Sequence, residues 1–431
     1  MSRTLYYIAL LFILLSPTGG GKWGAGLLCA QRHIAYTDQI ASLQVVAGTR
    51  WQQMPIIRLN GNEPINISFD WLSHSYRRLS YTVTHLEADF TPSDAVFTSD
   101  YLEGFENGLT IDDYQQSINT LQNYTHYRLQ IPNDKCRLTM SGNYRLDITD
   151  DENDGEVLAS VFFMVNEAKV TPTMEMTVNT DIDVRHSHQQ IELAVDYTTL
   201  NATDVRRQVK GYILQNRRWD NVRTLPEASR VSPRQMEWTH CRDLIFDAGN
   251  EYHKFEILDI HRNSMNVENN VWDGKDWHTM LWADYNRPSY VYDETANGAF
   301  YIRNSDNIEN DISSEYVLVH FTLQSPLLPN RLFVNGDWTY DRFLPQYEMH
   351  YDKDRKMYEG IVPLKYGYYS YQYLMLKEGQ YDEEGTNNTA PSIPPTEGSF
   401  YETRNTYNAL IYYRGTNDRA DRLVGVATTK Q

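Results

Sequence analysis

The residues with the clearest potential for chemistry are a run of acids from Asp150 to Gly155. The run reads Asp-Asp-Glu-Asn-Asp-Gly and is similar to the start of a calcium-binding loop. Such a loop closes with a bidentate glutamate six residues after its glycine. Val161 occupies that position here. We therefore interpret the run as the charged tip of a β-hairpin and predict no calcium site.

Two histidines, His186 and His188, are placed to share one face of a strand, because alternate side chains of a strand point the same way. Two imidazoles on one face could bind a metal, but protein zinc sites use three or four side-chain ligands. The sequence offers no evident third ligand near the pair. We interpret the histidines as an exposed strand end and predict no metal site.

The chain has three cysteines, Cys29, Cys136 and Cys241. None of the spacings around the last two is of the Cys-x-x-Cys or zinc-binding type, so neither redox nor metal chemistry is indicated. In an oxidising compartment these two could form a disulfide, or each could be a buried thiol in a β-sandwich core. Cys29 raises the alternative of a lipoprotein, although lipoprotein processing requires a small residue before the cysteine and Leu28 is not small.

Signatures of the common enzyme mechanisms are missing from the sequence. It contains no Gly-x-Ser-x-Gly nucleophile elbow and no glycine-rich phosphate loop opening a helix. Glycoside hydrolysis needs two carboxylates at a defined spatial separation, and nothing singles out a pair among the 57 acidic residues. We predict a protein that is not an enzyme and has no catalytic residue and no cofactor.

Three evenly spaced tryptophans could form a platform on which sugars stack. Trp272, Trp277 and Trp282 stand five residues apart, and Tyr285 and Tyr290 follow them. Amphipathic aromatic side chains more often fill cores and contacts between domains. We therefore expect these residues to serve in packing, with the sugar platform as the alternative.

The overall charge limits the partners of the protein. The 57 acidic and 39 basic residues give a formal charge of −18 at pH 7. Such a surface repels nucleic acid and anionic lipid headgroups, and the sequence contains no basic array that would offset this. We predict no nucleic-acid partner.

The N-terminus predicts export. Arg3 precedes an apolar run over residues 5–15. This run is shorter than the ~20 residues of a membrane-spanning helix but suits the hydrophobic region of a signal peptide. We predict a signal peptide over residues 1–30, with cleavage after Ala30, and a mature protein without direct membrane insertion.

The elements that must position all these residues are predicted to be short strands. Apolar and polar residues alternate in many segments separated by Gly, Asn and Asp turns, as in antiparallel sheets with one buried face. The clearest alternating segments are 65–71, 79–83, 127–131, 144–148 and 191–197. Helical periodicity is scarce, with residues 112–121 as a candidate short helix or crossing loop.

This pattern predicts an all-β protein of tandem immunoglobulin-like β-sandwiches. We divide the mature chain into an N-terminal sandwich (31–166), a middle sandwich (167–325) and a C-terminal immunoglobulin-like, early-set sandwich (326–431). A polar joint at 166–173 and a proline-containing segment at 325–330 suggest the boundaries. The length also allows the first two units to form one fused domain.

The C-terminal unit carries the most distinctive motifs. A Gly-Asp-Trp turn ends at Trp338, and a tyrosine-rich strand follows it in the sequence. We expect Tyr412 and Tyr413, still further along the chain, to pack behind that strand. Alternate tyrosines line one face of that strand: Tyr369, Tyr371 and Tyr373. This half resembles the immunoglobulin-like carbohydrate-binding modules of glycogen-branching and starch-acting enzymes. In those modules paired tryptophans stack on sugar, whereas Trp338 has no second member nearby.

The complete series of motifs resembles a more specific family. It continues through Glu-Gly-Ser-Phe-Tyr-Glu-Thr at 397–403, and further motifs occur in the same order at 124–127, 141–144, 163–165, 250–255 and 297–300. The series is similar to the domain of unknown function that defines the type IX secretion system plug proteins of Bacteroidetes. The resemblance spans nearly all of the predicted mature chain.

This resemblance implies a periplasmic protein on the inner side of the outer membrane. A plug protein would bind the outer-membrane translocon barrel and close its periplasmic opening while no cargo moves, and it would be monomeric apart from the translocon. The residues that contact the barrel are unknown from the sequence. The alternative is a glycan-binding β-sandwich protein of an outer-membrane polysaccharide-utilisation system.

Overall fold

The computed structural model describes residues 32–104, 108–382, 385–387 and 389–430. The predicted signal peptide and Cys29 lie outside these residues. The predicted all-β class with sandwich architecture is confirmed, since the helical segments are single turns and the rest is sheet and loop. Across the described ranges, no helix has the length and apolar character to cross a membrane. The α-helical turns are α1 (Thr98–Tyr101), α2 (Val205–Gln208) and α3 (Asn310–Ser313).

The N-terminal sandwich consists of strands β1 to β12. One sheet has the order β1-β12-β11-β5-β7 with β3 beside β12, the facing sheet has the order β2-β4-β9-β8, and β6 pairs with β10. The strands are β1 (Ile34–Ala35), β2 (Ile40–Ala47), β3 (Ile56–Arg58), β4 (Ile65–Trp71), β5 (Leu79–Leu86), β6 (Leu102–Gly104), β7 (Leu109–Thr110), β8 (Asp113–Gln116), β9 (Thr125–Ile131), β10 (Cys136–Leu138), β11 (Gly142–Asp150) and β12 (Glu156–Asn166).

Strand β12 is buried on both of its faces. Val161 and Phe163 point into the core of the N-terminal sandwich. Phe162 and Met164, on the opposite face, belong to a second apolar cluster that also contains Tyr412 from the end of the chain. A strand covered on both faces reads as a continuous apolar run. The run at 161–165 therefore marks the place where the N-terminal sandwich packs against the next unit.

A central sandwich follows, and it includes the last two strands of the chain. One sheet has the order β13-β14-β18-β17 with β19 beside β14, and the other has the order β16-β15-β30-β31. Its strands are β13 (Thr173–Thr177), β14 (His188–Asp196), β15 (Val209–Gln215), β16 (Arg223–Thr224), β17 (Arg230–Val231), β18 (Gln235–Trp238), β19 (Ile245–Asp247), β30 (Thr406–Tyr413) and β31 (Arg422–Lys430).

The residues between β19 and β30 form one large sheet. Its order is β20-β29-β26-β27-β28-β25-β22-β21, with β23 beside β25 and β24 beside β29. The sheet folds over its own core, where the rings of Phe255 and Phe321, from strands far apart in the sheet, lie 5.7 Å apart. Its strands are β20 (His253–Ile257), β21 (Val267–Trp272), β22 (Trp277–Leu281), β23 (Asp284–Tyr285), β24 (Phe300–Ile302), β25 (Tyr316–Gln324), β26 (Arg331–Asn335), β27 (Glu348–Asp352), β28 (Met357–Lys365) and β29 (Gly367–Leu376).

Strand pairing crosses the predicted boundary between residues 325 and 326. Strand β25, before the boundary, pairs along its whole length with β28 beyond it. Strand β30, near the end of the chain, pairs with β15 of the central sandwich. Sequence order does not show such pairing, because partners of a strand are chosen by long-range packing. We propose three units defined by their cores: the N-terminal sandwich, the central sandwich and the large-sheet unit inserted into it.

Two local expectations are corrected by the structure. Residues 112–121 form neither a helix nor only a crossing loop, because β8 pairs with β9 at the edge of the N-terminal sandwich. Tyr412 does not pack behind Tyr371. Tyr412 lies between the N-terminal and central sandwiches, whereas Tyr371 lies in the core of the large sheet. The alternation of the tyrosines on β29 is confirmed, and all three are buried.

Candidate docking surface

Three adjacent strands of the large sheet, β22, β25 and β28, have one buried and one outward face, and the edge strand β21 beside them is buried only at Val267. On β25 the residues Val317, Val319 and Phe321 point into the core. The residues between them point outward, because side chains of a strand alternate. The outward positions of the four strands therefore form one continuous surface.

We call this surface the open face. Strand register places its residues side by side: Val271 opposite His278, Met280 beside His320, and His320 opposite Ile361. Val271 is 43% exposed and Ile361 is 50% exposed. The members of the open face are Val271, His278, Met280, Leu318, His320, Ile361 and Pro363. These seven central side chains, two of them histidines, include no acid, lysine or arginine, and the next outward pair, Thr322 and Glu359, lies at the rim.

The two histidines of the open face bond to each other. Nδ1 of His278 lies 2.7 Å from Nε2 of His320, and Nε2 of His278 lies 3.1 Å from a carboxylate oxygen of Asp273. One ring nitrogen of the pair must donate and the other must accept. Burial, and then the neighbouring His278, lowers the pKa of His320. The pair therefore keeps its hydrogen bond only while at least one ring is neutral.

Strand β21 is the edge of the sheet, and its backbone is partly protected. Nδ2 of Asn263 donates to the backbone oxygen of Glu268 at 2.7 Å, and the backbone nitrogen of Asn270 donates to the side chain of Asn269 at 2.9 Å. The register also shifts between Val267 and Asn269. Bulges and polar side chains at an edge hinder the addition of another strand. The edge is therefore less suited to a partner than the face.

The three tryptophans lie on or next to β21 and β22, and they differ in burial. Trp272 is 42% exposed and Trp282 is 56% exposed, so the expectation that they serve in packing is wrong for these two. Trp277 does pack against the core of the large sheet. The rings of Trp272 and Trp277 are 5.4 Å apart and inclined by 50°. They contact each other instead of presenting one flat surface.

The two tyrosines near the tryptophans have different surroundings. Tyr285 on β23 is exposed, whereas the hydroxyl of Tyr290 donates to the carboxylate of Glu251 at 2.9 Å. Tyr285 thus lies at the surface beside Gln324 of β25, whereas Tyr290 is held in a separate polar contact.

At one end the same sheet face is covered by the N-terminal sandwich through buried charges. Nζ of Lys365 lies 2.6 Å from Oδ2 of Asp70, and both side chains are fully buried. The hydroxyl of Tyr316 donates to the same oxygen at 2.6 Å, and Nδ1 of His126 lies 2.6 Å from Oδ1. The ammonium also lies 4.0 Å from the centre of the Tyr124 ring. We call these five residues the latch.

The pKa values in the latch indicate a charged pair. Burial by itself raises the pKa of Asp70, but the Lys365 ammonium and His126 outweigh burial and hold that pKa below its ordinary value. Burial lowers the pKa of Lys365, and the carboxylate opposes this shift. A buried pair of this kind is costly to desolvate and even costlier to break on one side. The latch therefore fixes how the two units fit together.

A second buried polar cluster could be mistaken for an active site. His253 contacts Asp284 at 2.9 Å and Glu397 at 3.0 Å through its two ring nitrogens. The hydroxyls of Tyr371 and Tyr373 donate to Asp284 at 2.8 and 2.7 Å. Burial would raise the pKa of Asp284, yet His253 and the tyrosine hydroxyls hold it below its ordinary value.

The groups of this second cluster are occupied by one another. Arg287 also pairs with Glu397 and donates to the backbone oxygen of Glu251. In the ranges that the structure describes, no group of three or more His, Cys, Asp or Glu side chains could hold a metal ion. The cluster ties the segment around Glu397 to the large sheet, which gives a structural role to that sequence motif.

The remaining sequence candidates have structural roles. Both ring nitrogens of His188 face carboxylates, Asp183 at 2.6 Å and Asp247 at 3.2 Å, while His186 is exposed. The predicted strand end is confirmed, because His188 begins β14. The acidic run after Asp150 is the turn between β11 and β12, as predicted.

The cysteines and the last tryptophan are also placed by the structure. Cys136 is a free thiol in the N-terminal core, and Cys241 is a free thiol of the central sandwich. They lie in different cores and do not pair. Trp338 is buried in the core of the large sheet, where its indole nitrogen donates to the backbone oxygen of Ser370 at 3.3 Å. It is not exposed for stacking on sugar.

A small cavity lies where the three units meet. Its volume is ≈ 110 Å³, and its walls include Trp51, Phe162, Arg217 and Asp341. Small-molecule sites usually have volumes of roughly 300 Å³ or more. The cavity is therefore too small for a typical substrate.

Sequence reasoning did not identify the open face. The outward positions of β25 carried the only signal, since Leu318 and His320 stand where a solvent-facing strand usually has charged or strongly polar residues. That signal is weak in one strand. It becomes informative when Val271 and Ile361 join it from other strands.

Two comparisons with known proteins find similar proteins. Residues 40–167, which cover most of the N-terminal sandwich, match the model of the type 9 secretion system plug protein 1st domain. The crystal structure of a hypothetical protein from Parabacteroides merdae is similar over 93% of this chain and 99% of that chain, with 35% sequence identity and a TM-score of 0.88. A search of curated proteins gives no match.

Proposed function

The chain belongs to the type 9 secretion system plug protein family, and from this premise we propose that it binds the outer-membrane translocon barrel and closes its periplasmic opening. In this role it is a non-enzymatic periplasmic protein on the inner side of the outer membrane, exported by its signal peptide. It acts as a monomer that associates with the barrel.

The observation that carries this proposal is the way in which the three units are joined into one body. A protein that closes a pore must resist deformation, and the latch joins the N-terminal sandwich to the large sheet through buried charges. Breaking such contacts is strongly unfavourable. A chain of three loosely linked units would not close an opening reliably.

Arg217 makes a further connection among the units. This residue of the central sandwich donates to the backbone oxygen of Gln52 at 2.9 Å and to that of Asn297 at 2.8 Å. It also pairs with Asp337 at 3.1 Å. One side chain thus contacts both the N-terminal sandwich and the large-sheet unit, which supports the view that the three units move together.

Deletion of the gene tests the proposed function. If the protein closes the translocon, the deletion strain becomes sensitive to large antibiotics that the outer membrane normally excludes. The translocon barrel should still be present and assembled in that strain. Unchanged permeability in the presence of the barrel would remove the pore-closing function.

Co-purification tests the partner directly. The full chain, purified from detergent-solubilised membranes of its native host, should bring down a very large outer-membrane barrel protein. Retention on outer-membrane polysaccharide with no barrel protein would instead support the glycan-binding alternative, to which the exposed Trp282 and Tyr285 give some basis.

A further inference from the structure

We infer that the open face is the surface with which this protein docks on the translocon barrel. The inference rests on the proposed function and adds to it the region of contact. The partner that fits this face is a folded protein surface with an apolar centre and a polar rim.

The first reason is the composition of the surface. Cores of protein interfaces are depleted in charge and enriched in apolar residues, methionine and aromatics. The open face combines Val271, Met280, Leu318 and Ile361 with a histidine pair that satisfies its own hydrogen bond. Val271 and Ile361 are the most exposed of these apolar side chains, at 43% and 50%.

The second reason is continuity with a contact inside the molecule. Tyr316 and Lys365 are paired neighbours at one end of the same sheet face, and the N-terminal sandwich covers both of them. Leu318 and Pro363, the next outward pair, begin the uncovered part. A protein lying on the open face would continue a surface that already binds a β-sandwich.

The third reason concerns charge at the rim. Acids and bases alternate there: Asp276 pairs with Lys275 in the turn between β21 and β22, and Glu359, beside Ile361 on β28, pairs with Arg355. With a formal charge of −18, two copies of this chain repel each other. The net charge therefore disfavours a second copy as the occupant, and a barrel protein with a mixed, polar rim of its own suits the paired charges around the open face.

The geometry also disfavours two other occupants. Because Asn263 and Asn269 protect part of the edge of β21, an added strand has few free backbone groups to bind there. Because the rings of Trp272 and Trp277 are inclined to each other, they do not form a flat platform for sugar. These two observations favour the open face as the main site of contact with a partner protein.

The dimensions suit part of an interface of ordinary size. Four strands at a spacing of about 4.8 Å, with five residues of about 3.3 Å each, span roughly 14 by 17 Å. Standard interfaces bury about 800 Å² on each partner. The rest of the contact would come from Trp282 and Tyr285 on one side. On the other side lies a shallow depression of ≈ 440 Å³ beside Ile361, lined partly by Gln346 and His350.

The test compares two matched substitutions in the full chain, Ile361→Glu and Ile182→Glu. Ile182 is an exposed isoleucine of similar accessibility, 52% against 50%, but it lies in the central sandwich. Ile361→Glu should reduce the amount of barrel protein that co-purifies at least tenfold, whereas Ile182→Glu should leave it unchanged. Equal thermal unfolding temperatures of both variants would show that folding is intact.

The outcomes separate the two proposals. If the unsubstituted chain brings down no barrel protein, the proposed function fails. If it does and Ile361→Glu brings down as much, the function stands and the docking face is wrong.

A photo-crosslinking residue at Val271 provides a second measurement that does not depend on the effect of a charge. It should crosslink to the barrel protein, with the same residue at Ile182 as the control. A crosslink to a second copy of the chain, or retention of the chain on polysaccharide that is lost in Ile361→Glu, would overturn the inference.

Discussion

Strands β25 and β28 lie side by side, and the two ends of their shared outward face differ sharply. At one end Tyr316 and Lys365 are covered by the N-terminal sandwich and bind the buried carboxylate of Asp70. Towards the other end, from the middle of the two strands onward, His320 and Ile361 are neighbours on an uncovered surface. The strands, the sheet and the direction of the side chains are the same at both ends.

The difference shows two ways in which one sheet face can hold another protein surface. The covered end uses a charged pair whose separation is very unfavourable, which suits a permanent contact. The open end is apolar with a polar rim, like interfaces that form and separate. We infer that the first surface makes the protein rigid and the second binds its partner.

The largest effect is expected at the covered end, from Asp70→Asn. This change leaves the buried ammonium of Lys365 without its carboxylate, so we expect a loss of about 3–5 kcal/mol in the free energy of unfolding. Urea denaturation measures this loss. Asp113→Asn, in an exposed ion pair of the same sandwich, is the control and should cost less than about 1 kcal/mol.

A double variant sharpens this test. Asp70→Asn combined with Lys365→Met removes both charges, so part of the lost stability should return. If the double variant is as unstable as the sum of both single variants, the ion pair is not what joins the two units.

Acidic pH should lower the free energy of unfolding, because a buried histidine must be protonated. His85 is buried, with Nδ1 2.9 Å from Oγ of Ser93 and Nε2 3.1 Å from the backbone oxygen of Ser141. Burial lowers the pKa of this histidine to about 4. Below the ordinary pKa of about 6.5 the unfolded chain binds a proton that the folded chain does not, so stability falls as pH decreases.

The expected size of this effect is on the order of 2 kcal/mol at pH 5 relative to pH 7.5. When the free energy of unfolding is measured from pH 5 to pH 7.5, it should rise less steeply with pH in His85→Gln than in the unsubstituted chain. Asp421 and Arg422 also face His85, and neither is changed in this comparison. Equal slopes would show that His85 does not contribute.

Substitutions in the open face should lower the free energy of unfolding less than substitutions in the latch. His320→Gln removes the hydrogen bond to His278, which is worth about 0.5–1.5 kcal/mol at most at a partly exposed site. Because the pKa of His320 is lowered, its contribution is present at neutral pH and decreases as pH falls below its ordinary value. The thermal unfolding temperature should change less between pH 7.5 and pH 5 in the variant than in the unsubstituted chain. A loss as large as that of Asp70→Asn would mean that the open face is structural.

The smallest effect is expected from Ile361→Ala. Its side chain is half exposed, so the free energy of unfolding should change by no more than about 0.5 kcal/mol. Leu364→Ala, three residues along the same strand but pointing into the core, should cost about 2–5 kcal/mol. Similar losses in both variants would show that Ile361 is part of the core.

The amino-acid sequence by itself determined the strands and their buried faces. The alternation at residues 65–71 predicted β4 with the bounds that the structure has, and the alternate tyrosines of β29 are buried on one face as expected. These features depend on local periodicity, because burying every second side chain requires a strand whatever its neighbours are.

Only the tertiary structure decided which strands and side chains meet. It paired β30 with β15 and placed Lys365 against Asp70, although these partners are far apart in the sequence. It also left Trp282 exposed and gathered the open face from strands that no local pattern connects. The physical reason is that strand partners and uncovered faces follow from packing the whole chain, and periodicity within one segment carries no information about them.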